Sequence, residues 1–141
     1  MISDEKVKRL RNAAKQVSKN AHCPYSGFGV GAAVLIEDGR IFSGCNVENA
    51  SFGLTICAER NAIFQSIAEG HRKIEALAVY TPTESPITPC GACRQVISEF
   101  NSNVDIYCFC KSNKFLHLKL EELLPQSFNG EVLNENKTGG N

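Results

Sequence analysis

Two short blocks constrain this chain more than any other feature: Thr55-Ile56-Cys57-Ala58-Glu59-Arg60 and Thr88-Pro89-Cys90-Gly91-Ala92-Cys93-Arg94. Each falls where the pattern predicts a helix start. Cys90 and Cys93, at i and i+3, place both sulfurs on one side of a first helical turn. Pro89 just ahead of them suits a helix start. The exposed N–H groups of such a start favour negative charge and lower a thiol's pKa. With Cys57 at the other start, two positive helix ends can face one ion.

Thiolates of this kind suit zinc. Three protein ligands with one open position form the catalytic pattern, whereas a structural site is closed by a fourth. Water in the open place has its pKa lowered to about 7. Glu59 lies close enough in sequence to exchange a proton with it, a role typically worth ~10²–10⁴-fold in rate. Three thiolates and Zn²⁺ sum to −1, which weakens the ion as a Lewis acid. The helix ends offset part of that charge. Arg60, by its proximity to Cys57, is favoured over Arg94 to offset more by donating to sulfur. From these residues alone other readings stay open. A lone C-x-x-C serves equally as a redox pair, and Cys45 or Cys23 is available to close a structural four-cysteine site.

The periodicity around the blocks gives the fold class. Val7, Leu10, Ala14 and Val17 mark an amphipathic helix, with Ser3 or Asp4 as its N-cap. Phe28 to Ile36 is apolar throughout, as in a strand buried on both faces. Asp38-Gly39 turns it into a returning strand, Arg40 to Val47. A helix is predicted from near Cys57 to Gly70, with Ala62, Ile63 and Ile67 as its stripe. Ile74 to Tyr80 reads as a strand, and the proline-punctuated stretch Thr81 to Pro89 as a loop. The next helix carries Ala92, Val96, Ile97 and Phe100 on one face. Val104 to Cys110 and Phe115 to Leu118 are strands joined by too short a link for a parallel crossover, so they must be antiparallel. Leu120 to Leu124 forms a short helix ended by Pro125. The expectation is a three-layer α/β domain over residues 1–128, with a mixed five-stranded sheet. Residues 129–141 form a polar tail expected to be disordered.

Composition narrows the function. Fifteen basic residues balance fifteen acidic ones, so the basic surplus of a nucleic-acid binder is missing overall, and no nucleic-acid partner is expected. No apolar run reaches the roughly 18 residues of a membrane span, and the charged N-terminus lacks the apolar core of a signal peptide. The expected location is the cytoplasm, with no membrane association. Seven cysteines cannot all pair, and in a reducing compartment clustered cysteines bind metal or do chemistry.

The blocks resemble the zinc-dependent cytidine deaminase superfamily, whose signature joins [HC]-x-E to P-C-x-x-C. The match extends to Pro24-Tyr25-Ser26-Gly27-Phe28-Gly29-Val30-Gly31-Ala32-Ala33, similar to the family's P-Y-S-x-F-x-V-G-A-A. It continues at Gly44-Cys45-Asn46-Val47-Glu48-Asn49-Ala50, similar to its ribose-binding segment, and at Glu121-Glu122-Leu123-Leu124-Pro125 followed by Phe128. An all-cysteine ligand set resembles the small homotetrameric branch rather than the histidine-containing tRNA, dCMP and polynucleotide branches.

The resemblance implies one Zn²⁺ per subunit on Cys57, Cys90 and Cys93, with Glu59 as proton shuttle. It implies hydrolytic deamination of cytidine and 2′-deoxycytidine through zinc-bound hydroxide, in pyrimidine salvage. Asn46 and Glu48 would hold the ribose hydroxyls, and Phe28 would pack on the pyrimidine. The Ala58 N–H and the Thr88 carbonyl would read the base edge and leaving amine. Ala50, Phe52 and Phe128 would reach a neighbouring subunit's site in a homotetramer with shared pockets. Read without the family, the Asn46–Glu48 pair serves as well to cap the end of the second strand, and Phe28 as core. Phe52 stands where the family often has tyrosine. Cys23, Cys45, Cys108 and Cys110 have no part in the motif. A rival substrate within the same chemistry is another small cytosine compound such as blasticidin S.

Overall fold

The computed structural model describes residues 2–131, 133 and 134. Ser3 caps helix α1 (Asp4–Ser18) by accepting the Lys6 N–H at 3.3 Å. A β-hairpin follows, β1 (Gly31–Ile36) and β2 (Ile41–Cys45). Its turn uses Gly39 at φ 92°, a left-handed conformation that costs glycine least. Helix α2 (Ala58–Ala68), strand β3 (Ile74–Tyr80) and helix α3 (Gly91–Phe100) come next. Strands β4 (Asp105–Phe109) and β5 (Phe115–Lys119) and the short helix α4 (Leu120–Leu123) complete the domain.

The five strands form one mixed sheet in the order β2-β1-β3-β4-β5. Within this sheet β3 and β4 run parallel and the other neighbouring pairs antiparallel. The last pair is antiparallel, as the short link requires. Because side chains alternate across a strand, each buried strand feeds two cores. Ala32 and Val34 of β1, Leu77 and Val79 of β3, and Ile106 of β4 pack with Ala62, Ile63 and Ile97 of α2 and α3. Ala33, Leu35, Ala76, Ala78 and Tyr107 point the other way, toward Leu10 and Ala14 of α1. The three layers expected from the sequence are therefore present. No helix among the described residues is long and apolar enough to cross a membrane.

Several predicted boundaries shift, for physical reasons. Strand β1 begins at Gly31 rather than Phe28: the Phe28 carbonyl and the Val30 N–H bond to the side chain of Asn46, and the Val30 carbonyl accepts the Asn46 backbone N–H at 3.3 Å. Ala92 is exposed, so the inward face of α3 is built on Cys93 and Ile97 with Val96 and Phe100 beside them. Cys110 falls one residue past β4, with its sulfur near the carbonyls of Glu84 and Lys114, and both it and Cys108 are buried. Of the tail set apart at 129–141, residues 130, 131, 133 and 134 carry helical backbone. Residues 132 and 135–141 lie outside those described.

The chain path explains where a site can form. Helix α2 runs back against the direction of β3, and β3 then leads into α3. Both helix N-termini therefore sit at the carboxyl end of β3, where open α/β sheets leave a crevice for ligands. Gly44 of β2 makes this possible, because a Cβ there would lie 2.4 Å from the Ala62 nitrogen and 3.0 Å from the Ala58 carbonyl oxygen.

Candidate metal centre and active site

Cys57 is the N-cap of α2 and Cys90 the N-cap of α3, and neither side chain caps its own helix. Both sulfurs are thus free to point at a shared ligand. Cys93, in the first turn of α3, joins them, and all three Sγ atoms lie within 4.8 Å of one another. Cys57 and Cys90 are 3.9 Å apart. Tetrahedral zinc with Zn–S bonds of about 2.3 Å would hold its sulfurs about 3.8 Å apart, so the cluster fits that ion.

Arg60 donates from Nη2 to the Cys57 sulfur at 3.4 Å. Its Nε is buried without a hydrogen-bond partner among the described residues, so the guanidinium has donor capacity to spare beside sulfurs that a metal would keep as thiolates. Arg94, the other candidate for this duty, donates to Pro89, Leu123 and Thr88 instead. Hydrogen bonding from Cys93 draws the Cys57 thiol down to about 5 against the opposing effect of burial, with Arg60 assisting. The Cys93 thiol is correspondingly raised, by its bond to Cys57 and by burial.

Glu59 is 5% exposed. Burial pushes its carboxyl up to about 7, and the neighbouring Cys57 charge adds to the rise while Arg60 opposes it. A carboxyl near 7 can both take and give a proton at neutral pH. Burial, with the charge of Glu59, also raises the Cys108 thiol to about 12, which leaves it a neutral core group.

A cavity of about 440 Å³ opens onto this cluster. Its wall brings together Phe28, Asn46, Glu48, Cys57, Ala58, Glu59, Thr88 and Cys90 from four separate segments. Asn46 is 9% exposed, and its amide donates to the Phe28 carbonyl and accepts from the Val30 N–H, both at 2.8 Å. It therefore clamps the segment that carries Phe28, while one N–H and one lone pair stay available to a ligand. Glu48 accepts from the backbone N–H groups of Tyr25 at 3.0 Å and Ser26 at 3.1 Å, and from the Ser26 hydroxyl. That hydroxyl and the two N–H groups hold its carboxyl below the usual range. Both residues therefore do tie down the chain at the end of the second strand, and both also face the cavity.

Ser26, Thr55, Thr81 and Ile87 line the same cavity and were not singled out in the sequence. The P-Y-S segment carried the only signal for Ser26. Ala50, Phe52 and Phe128 are not brought to this cavity. All three are exposed, Phe52 at 74% and Phe128 at 63%. Phe52 and Tyr25, in edge-to-face contact at 5.8 Å, line an adjoining cavity that shares Ser26, Glu48 and Thr55. Gln95 donates to the Phe128 carbonyl at 2.9 Å.

The chain is similar to known proteins in sequence and in fold. The family model described as the cytidine and deoxycytidylate deaminase zinc-binding region matches residues 4–110. Cytidine deaminase from Sporosarcina psychrophila is 44% identical over 128 residues, covering 90% of this chain and 94% of that protein. The probable cytidine deaminase of Dictyostelium discoideum is 40% identical over 133 residues, 94% of this chain and 90% of its own length. The crystal structure of cytidine deaminase from Burkholderia pseudomallei superposes with a TM-score of 0.84 at 42% identity, covering 90% of this chain and all of that one. A single buried carboxyl beside three convergent sulfurs, within a fold shared with these proteins, places the chain in one family: it belongs to the zinc-dependent cytidine deaminases, which are hydrolytic enzymes.

Proposed function

We propose that this protein deaminates cytidine and 2′-deoxycytidine to uridine and deoxyuridine, releasing ammonia, as a cytoplasmic step of pyrimidine salvage. The observation that carries the reading is the buried Glu59 carboxyl beside the three-cysteine cluster, in a cavity also walled by Phe28, Asn46 and Glu48. Zinc, when bound by Cys57, Cys90 and Cys93, supplies an acidified water as the nucleophile. Glu59 takes a proton from that water and delivers it to ring N3 as C4 gains oxygen. Glu59 then takes the remaining proton from the new C4 hydroxyl and passes it to the amine, and the C4–N bond breaks as the C4 carbonyl forms and ammonia leaves. Arg60 and the two helix N-termini offset the charge of three thiolates.

Phe28 packs against the pyrimidine in this reading. The Ala58 N–H and Thr88 carbonyl read its amino edge, and the remaining polar groups of Asn46 and Glu48 meet the ribose. An unphosphorylated nucleoside is favoured over a nucleotide, because the cavity lining carries the acidic side chains of Glu48 and Glu59 and, among the described residues, neither lysine nor arginine. Such a wall repels a phosphate. Ala50, Phe52 and Phe128 are assigned to neighbouring subunits' pockets in a homotetramer. Their exposure at the surface, with Tyr25 and Leu54 exposed nearby, supports this, since exposed apolar patches mark interfaces.

The deciding assay is ammonia release from cytidine by zinc-loaded protein, beside Glu59→Ala. Turnover by the wild type and its loss in the variant is the expected outcome. A zinc-loaded but inert wild type would refute the proposal, and activity on blasticidin S alone would move it to that substrate. Light scattering tests the assembly: a fully active monomer would exclude shared pockets.

A further inference from the structure

We infer that Arg94 is a positioning residue that sets the cavity wall formed by Thr88, Pro89 and Cys90. This rests on the deaminase reading for its kinetic consequences, but not for its geometry. The guanidinium makes three bonds in three directions. Nε donates to the Pro89 carbonyl at 2.7 Å, Nη2 to the Thr88 hydroxyl at 2.9 Å, and Nη1 to the Leu123 carbonyl at 2.9 Å. It thus joins α3, the loop before α3 and the end of α4 through one rigid plane.

The loop needs such a fastening. Thr81 to Pro89 contains three prolines, each without an N–H to donate. Among the described residues, the backbone–backbone bonds of this segment lie at its far end, at Thr81 and Thr83, and side chains of Thr83 and Ser112 hold the Ser85 and Glu84 carbonyls there. Near the cluster, the Pro89 carbonyl and Thr88 hydroxyl are held by Arg94. A trans peptide sends its N–H opposite to its carbonyl. Holding the Pro89 carbonyl toward Arg94 therefore turns the Cys90 N–H away from it and fixes the plane from which Cys90 departs. Thr88 and Cys90 line the cavity, so a rotation of that plane moves both together. Lysine cannot replace the arrangement, because an ammonium has no planar fork to span three fixed acceptors.

The test uses full-length Arg94→Ala and Arg94→Lys, each loaded with zinc and, separately, with cobalt(II), whose thiolate charge-transfer and ligand-field bands report ligand geometry. Both variants are expected to retain one metal per chain and to show shifted cobalt bands. Their kcat on cytidine should fall by about ten-fold or more, since a misplacement of about 1 Å can cost about 10²-fold, while KM changes less. Added guanidinium, well below denaturing concentration, should restore kcat and the bands in Arg94→Ala and leave wild type and Arg94→Lys unaffected. Wild-type bands and kcat in Arg94→Ala would overturn the inference. So would loss of metal and thermal stability that guanidinium does not reverse, which would make Arg94 merely structural. If wild type were inert on cytidine, the deaminase reading alone would fall, and the cobalt bands with and without guanidinium would still decide the role of Arg94.

Discussion

Gly44→Ala tests whether the seating of α2 on the sheet sets the catalytic geometry. The new Cβ would lie 2.4 Å from the Ala62 nitrogen, 2.7 Å from the Asn61 carbonyl carbon and 3.0 Å from the Ala58 carbonyl oxygen. These are backbone atoms of one helix and cannot swing aside. Ordinary contact begins near 3.4 Å, so α2 must recede by about 1 Å, against a close-packed interior. Asn61 also ties α2 to β2 by donating to the Cys45 carbonyl at 2.8 Å, and that bond would stretch. Overpacking of this kind costs about 1–3 kcal/mol, a fall in Tm of about 3–10 °C for a domain of this size. Helix α2 carries Cys57 and Glu59, whereas Cys90 and Cys93 ride on α3 and stay in place. A 1 Å misplacement of reacting groups can cost about 10²-fold, so kcat should fall by up to that factor. Thermal unfolding followed by circular dichroism, metal content and steady-state deamination together give the answer. An unchanged Tm with full kcat would refute the packing argument. A lowered Tm with full kcat would refute the link from helix position to catalysis.

Glu59→Gln should lower kcat by about 10²–10⁴-fold with metal retained, because glutamine keeps the volume but cannot relay a proton; parallel metal analysis and kinetics check this. Removing zinc with a chelator should abolish turnover and lower Tm, since a ligand bound only by the native state stabilises it by mass action; a chelated protein with full activity would contradict the metal assignment. Asp105 offers a pH test away from the site. Burial would raise its carboxyl, but His117 at 2.7 Å and Lys119 at 3.2 Å outweigh this and hold it below the usual range. A depressed folded pKa gives stability at neutral pH that is lost as pH falls through that pKa. Asp105→Asn should therefore cost about 1–2 kcal/mol near pH 7, discounted for partly exposed partners, with the difference shrinking in acid. Denaturant melts at pH 7 and pH 3 that show the same gap would rule this out.

The sequence by itself determined the order and type of the main elements, the antiparallel last strand pair and the three thiols that can meet at one metal. These are local properties: apolar periodicity, turn residues, a link too short for a crossover, and thiols at helix starts. The choice among zinc, redox and closed four-cysteine readings came from the family resemblance. Cys57, Cys90 and Cys93 were legible as candidate metal ligands, and Glu59 as a carboxyl beside them, because their residue types and spacing mark them. Tertiary structure decided what depends on segments far apart in the chain. It gave Asn46 a backbone clamp on Phe28 and Val30, bound Glu48 to Ser26, and separated Arg60, which reaches sulfur, from Arg94, which holds a loop. Arg60 lies three residues after its helix N-cap and Arg94 four after its own, and proximity to Cys57 favoured Arg60 in sequence without giving the acceptors of Arg94. Which acceptor each meets depends on how α2 and α3 converge at the end of β3, and no local pattern contains that convergence.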